Sequence, residues 1–174
     1  AREEVIGSLT ELREHSPYAK NRYFIMRHGE AENNAKGILN GAWPEKIKYS
    51  LTVKGKRDVL VAARKLKKSN IDLIVASPFT RTKETADLVG RELGVRVVID
   101  PRLREAYEGV FDNRPQAQYF KAVPTFERRF KEGIPSGEDL REVRARMFGA
   151  LTDLELKYEG KTILIVSHDD PLWL

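Results

Sequence analysis

Residues 71–100 read IDLIVASPFTRTKETADLVGRELGVRVVID, and this stretch decides the fold. IDLIVAS is a short, nearly continuous apolar run, the pattern of a strand buried on both faces. The pattern changes at Pro78: TRTKETADLVGREL reads as a helix, and VRVVID returns to strand character. A helix placed between two strands is a crossover connection, so the strands run parallel and the helix covers a face of the sheet.

The same alternation extends in both directions. Upstream, YFIM (23–26) is a first strand, continuous in apolar character and therefore expected at the centre of a sheet covered on both sides. Tyr23, Phe24 and Met26 are expected in the core. Residues 50–70 place Leu51, Val53, Val59, Leu60, Ala63 and Leu66 near a 3.6-residue period, with Thr52 as N-cap. Downstream, Ser136 is the expected N-cap of a helix whose stripe is Leu140, Val143, Met147, Leu151 and Leu154, and Gly160 ends it. KTILIVS (161–167) is the last strand. Between residues 106 and 135 the signal weakens to one or two short helices interrupted by Pro124. The expected fold class is α/β: a three-layer sandwich with a mostly parallel central sheet and helices on both faces.

Composition sets outer limits. A chain of 174 residues is enough for one domain that buries roughly 70% of its unfolded surface. The stripe Val5, Ile6, Leu9 and Leu12 predicts a leader or linker helix within residues 1–20, ahead of a domain over 21–174. Starting at Ala1 and stopping in the apolar segment DDPLWL, the sequence reads as a domain cut from a longer polypeptide and truncated at its C-terminal end. The 31 basic and 26 acidic residues give a net charge of +5 but are interleaved, which predicts a mixed solvated surface rather than a nucleic-acid-binding face. There is no cysteine, which fits a reducing compartment, and the cytoplasm is the expected location. No apolar run approaches the roughly 20 residues that span a bilayer.

Chemistry-bearing residues cluster at strand ends. YFIM runs into Arg27 and His28, TILIVS into His168, IDLIVAS into Pro78 and then Arg81, and VRVVID into PRLREAYEG with Glu105. Carboxyl ends of parallel strands share one edge, where ligands bind. Two arginines, two histidines and a carboxyl suit phosphoryl transfer, because guanidinium forks match phosphate oxygens, imidazole can attack phosphorus and a carboxyl can protonate a leaving oxygen. Simpler roles stand beside these. His28 could be an ordinary polar residue at a strand end, and Glu105 could pair with Arg102 or Arg104. Arg128 and Arg129 are either substrate cations or an ordinary solvated helix face. GILNGAW, inside the long loop 27–50, is either a turn or part of a binding rim.

The ordered motifs RHGEAENN, LTVKG, SPFTRTKETA, LREAYEG, SGEDLREVRARM and VSHDDP resemble the histidine phosphatase superfamily, which includes phosphoglycerate mutases, over residues 23–171. The resemblance implies a phosphoglycerate mutase-like fold in which His28 becomes phosphohistidine. Arg27 and Arg81 would hold phosphoryl oxygens, His168 would be the second pocket histidine, and Glu105 would serve as general acid and then base. It further implies that Asn34 is a pocket asparagine, that Gly29 lets the loop backbone approach the phosphate, and that neither a cofactor nor a metal is needed. Two departures bear on activity. Asp169 stands where glycine is usual, so its amide would face the phosphate while its carboxylate repels it. Ala106 follows the catalytic glutamate where the mutases have arginine. The expectation is therefore a hydrolase of small phosphomonoesters, with a raised Glu105 pKa and an optimum at mildly acidic to neutral pH. Its rivals are a mutase and a weakly active or non-catalytic phosphate-binding domain of a larger protein, such as an aminoacyl-tRNA synthetase.

Overall fold

The computed structural model describes residues 19–131 and 134–174. The leader helix expected within residues 1–20 falls on residues 1–18, outside the described ones. The first strand, β1 (Arg22–Arg27), is followed by a long loop that contains a single-turn helix, α1 (Glu32–Ala35). Helix α2 (Val53–Leu66), strand β2 (Leu73–Ala76), helix α3 (Thr80–Leu93) and strand β3 (Val97–Ile99) then follow. Beyond them lie α4 (Gln116–Ala122) and α5 (Phe126–Lys131), separated around Pro124 as the sequence predicts. The chain closes with α6 (Leu140–Lys157), β4 (Thr162–Ser167) and α7 (Asp169–Trp173).

All strand pairs are parallel, in the order β1-β4-β2-β3. Three layers result. Val59 and Ala63 of α2 and Ala86 and Val89 of α3 pack on one face against Ile74, Ala76, Leu164 and Val166. Met147, Ala150 and Leu154 of α6 cover the other face at Leu73, Val75, Ile163 and Ile165. Side chains of successive strand residues point to opposite faces, so the unbroken apolar runs of β2 and β4 serve both layers at once. Truncating a fully buried residue such as Ile165 to alanine removes about 2–5 kcal/mol.

Two expectations about the elements change. Strand β1 lies at an edge of the sheet, not its centre: Tyr23 is buried, but Ile25 on the same face is 54% exposed. A short apolar run reports that a strand meets a core, not how many neighbouring strands it has. The N-cap of α6 is Asp139 rather than Ser136; its carboxylate accepts from the Glu142 amide at 2.9 Å, and Glu142 bonds back to the Asp139 amide at 2.9 Å. This reciprocal capping box satisfies two helix-end donors, whereas Ser136 occupies a left-handed turn (φ 62°) three residues earlier. Helix α6 ends at Lys157 because Tyr158 is extended, and Gly160 takes the positive φ of the turn that follows. Thr52 caps α2 as expected, accepting from the Gly55 amide at 2.9 Å. Among the described residues, no helix is long and apolar enough to cross a membrane.

Candidate active site at the carboxyl ends of the strands

The four strand ends converge on a cavity of about 350 Å³ whose wall includes Arg27, His28, Asn34, Arg81, Glu105 and Asp169. His168, the first residue after β4, is fully buried behind it, its ring centroid 5.1 Å from that of His28.

His28 is held in one tautomer. Its Nδ1 lies 2.7 Å from the Gly29 carbonyl, which can only accept, so Nδ1 carries the proton and Nε2 keeps its lone pair. Burial, with Arg81 beside it, lowers the His28 pKa to about 3, so the ring is neutral at any working pH. Nε2 accepts from Arg81 Nε at 3.1 Å. The rest of the Arg81 fork is anchored on Asn40, with Nη1 donating to Oδ1 at 2.6 Å and Nη2 to the carbonyl at 2.8 Å. Arg81 is 2% exposed and is set on the first turn of α3, directly after the sharp β2–α3 connection.

His168 is fixed from the other side. Its Nε2 lies 2.7 Å from Ser77 Oγ, which also accepts the Phe79 amide at 3.4 Å; in the tautomer whose Nε2 accepts the hydroxyl proton, Nδ1 is a donor. Nδ1 has no hydrogen-bond partner and lies 3.7 Å from Glu105 Oε2. Burial and the charge of Arg81 keep His168 neutral, well below the usual histidine range. An oxyanion placed between the two imidazoles and Arg81 would meet donors on two sides.

Glu105 faces them from the loop after β3. Burial, reinforced by the Asp170 carboxylate, raises its pKa to about 7 against the opposing pull of Arg81. Its backbone is clamped from α6: Arg146 donates to the carbonyls of Arg102 (2.6 Å), Arg104 (2.7 Å) and Glu105 (2.9 Å) while also holding both Glu138 oxygens. Glu138 in turn accepts from the Tyr107 amide and from Arg104. The motif SGEDLREVRARM therefore fixes the height of Glu105 without reaching the cavity itself. Arg102 pairs with Asp100 and Asp153, so neither neighbouring arginine takes Glu105 as partner.

Among the other residues, the place of Gly29 differs from expectation. The Gly29 amide donates to Thr85 Oγ1 at 3.1 Å instead of facing the cavity. A Cβ on Gly29 would lie 2.6 Å from Val59 Cγ2, so glycine is required here by packing against α2 rather than by approach to a phosphate. Asn34 lies on the rim, its Oδ1 accepting from the Ala31 amide. Asp169 turns its carboxylate onto Arg27 at 3.2 Å, both half exposed at the cavity mouth. Arg129 lines the cavity and is bound to Asp170 and the Tyr119 hydroxyl, whereas Arg128 lies on an exposed side and donates toward the Ala122 carbonyl. Ala106 packs against Leu140 and Val143. Ile38, Leu39 and Asn40 place GILNGAW on the rim. Asn40, Ser77, Tyr119 and Glu108 were not singled out from sequence. Their roles depend on contacts between distant segments, and only the position of Ser77 at a strand end hinted at one.

The comparisons with known proteins follow this geometry. The family model of the histidine phosphatase superfamily (branch 1) matches residues 23–174. Relatives include proteins named probable phosphoglycerate mutase GpmB from Cronobacter sakazakii, 33% identical over 150 residues, and from Yersinia enterocolitica, 34% identical over 151 residues. Each alignment covers 83% of this chain and 68% of the relative. Among solved structures, YhfR of Bacillus stearothermophilus superposes with a TM-score of 0.75 at 27% identity, covering 87% of this chain and 76% of that one. A mycobacterial glucosyl-3-phosphoglycerate phosphatase solved with VO3 gives 0.73 at 26% identity, covering 85% and 75%. The fold recurs in these structures, and with the family model matched over residues 23–174 the chain belongs to branch 1 of the histidine phosphatase superfamily.

Proposed function

We propose that the protein hydrolyses small phosphomonoesters through a phosphohistidine on His28, with Glu105 as general acid and then base. The observation that carries this reading is a pair of opposed protonation states across one cavity: an imidazole whose Nε2 lone pair is free of a proton, and a carboxyl that holds its proton up to about pH 7. In the first step Nε2 attacks phosphorus, the bond to the ester oxygen breaks, and Glu105 gives its proton to the departing alkoxide. Water then attacks the phosphohistidine, its proton passes to Glu105, and the phosphorus–nitrogen bond breaks to return the imidazole. Arg81, Arg27 and His168 Nδ1 surround the phosphoryl oxygens in both steps, and Asn34 serves the rim of the same pocket.

Mutase chemistry is the second reading, favoured by the names of the sequence relatives. Hydrolysis is favoured by the cavity: Arg129 of its wall is bound to Asp170 and so is not held open for a second anionic group on the substrate. Incubating the protein and His28→Ala with an aryl phosphate tests the reading. The expected result is phosphate release and an acid-labile phosphoprotein from the unaltered chain only. Interconversion of phosphoglycerates without phosphate release would establish the mutase instead, and release by His28→Ala would remove the nucleophile assignment.

A further inference from the structure

The cavity wall also holds a group that the proposed reaction does not use. Glu108 lines the wall, is only 5% exposed, and its Oε2 is buried with no hydrogen-bond partner. Gly41 makes room for it: a Cβ there would fall 2.4 Å from Oε2. A buried carboxyl oxygen without a donor is unfavourable by itself, and such groups in binding cavities are completed by what the ligand brings.

The surrounding charges define what that is. Glu105 and Asp170 both act on Glu108 through space, and Asp112 adds to them. The arginine on this side, Arg129, already binds Asp170 and the Tyr119 hydroxyl. Glu108 is consequently pushed toward its neutral form by burial and by its acidic neighbours; its charge also acts on Arg81, whose guanidinium hydrogen bonds go to His28 and Asn40. A positively charged N–H donor entering here would satisfy Oε2 and favour the ionised carboxylate, whereas a carboxylate would meet a wall of acids.

Building on the phosphatase reading, we propose that Glu108 makes this wall a specificity subsite for phosphomonoesters whose alcohol portion carries an ammonium group, and that it rejects phosphorylated acids. The ester phosphate lies against His28 and Arg81, and the ammonium a few bonds away reaches Glu108 beside Asp170. A charge-assisted hydrogen bond to a buried carboxylate corresponds to a preference of about 10- to 100-fold.

Three esters of similar size isolate the charge: phosphoethanolamine, propyl phosphate and phosphoglycolate. Binding of each to His28→Ala, measured by titration calorimetry, reads selectivity without any turnover. The expected order is ammonium, then neutral, then carboxylate, with at least tenfold between first and last. In the unaltered protein kcat/KM should follow the same order, and Glu108→Gln should compress the ratio of first to last toward one. Equal affinities, or tighter phosphoglycolate, would overturn the subsite even if all three esters are hydrolysed. The predicted order in binding without phosphate release from any ester would uphold the subsite and refute hydrolysis, so the two readings fail separately.

Discussion

Replacing Glu105 by glutamine keeps the shape of the side chain and removes the proton it gives. A general acid contributes about 10²- to 10⁴-fold when the leaving group is a poor one. An alkyl phosphate should therefore lose turnover of that order in Glu105→Gln, while an aryl phosphate whose phenolate departs unprotonated should lose far less in its first step. Since the same residue is the base for water, the variant should also accumulate phosphohistidine, approaching about one phosphoryl group per chain with the aryl ester. The pH dependence follows from the raised pKa of about 7. The carboxyl is protonated below that value, so the acid-dependent rate falls about tenfold per unit as pH rises above it. His28, with its pKa lowered to about 3, stays unprotonated throughout and imposes no limb near neutrality. The assay is kcat/KM for both esters from pH 5 to 9 in both proteins, with acid-quenched phosphoprotein counted beside it. The substrate's own second ionisation, at about 6, is common to both proteins and cancels in their ratio. Equal losses for alkyl and aryl esters, or an unaltered pH profile in the variant, would refute the assignment of Glu105.

Arg81→Lys should cut kcat/KM by about 10²- to 10³-fold in steady-state assays, because an ammonium cannot hold Asn40 and His28 Nε2 together as the fork does. Asp169→Asn frees Arg27 from its half-exposed ion pair and should tighten inhibition by inorganic phosphate about two- to fivefold, an effect that shrinks at high salt. Arg146→Met leaves the carbonyls of Arg102, Arg104 and Glu105 and the carboxylate of Glu138 short of donors, lowering stability by about 3 kcal/mol in denaturant titration. It should also flatten the pH profile tied to Glu105; a stable variant with an unaltered profile would show that the clamp does not position that carboxyl.

The sequence by itself determined the alternation of strands and helices, because period-2 and period-3.6 apolar patterns follow from local backbone geometry. It also determined that His28, Arg81, Glu105 and His168 share one edge, since parallel strands put all their carboxyl ends on one side. Thr52 was legible as a cap for the same local reason, and Asp139 was equally legible through its partner Glu142, although the serine three residues earlier drew the expectation. Tertiary structure alone decided what depends on contacts far apart in the chain. The edge position of β1 is set by which strand pairs with β4, and nothing in YFIM encodes that. Gly29 answers to Val59 on another element, Arg146 holds a loop some 40 positions upstream, and Glu108 Oε2 is buried without a hydrogen-bond partner against Gly41, far from it in the chain. Spacing along the chain reveals which chemistries are present; which of them are satisfied, and which wait for a ligand, emerges only when distant segments pack.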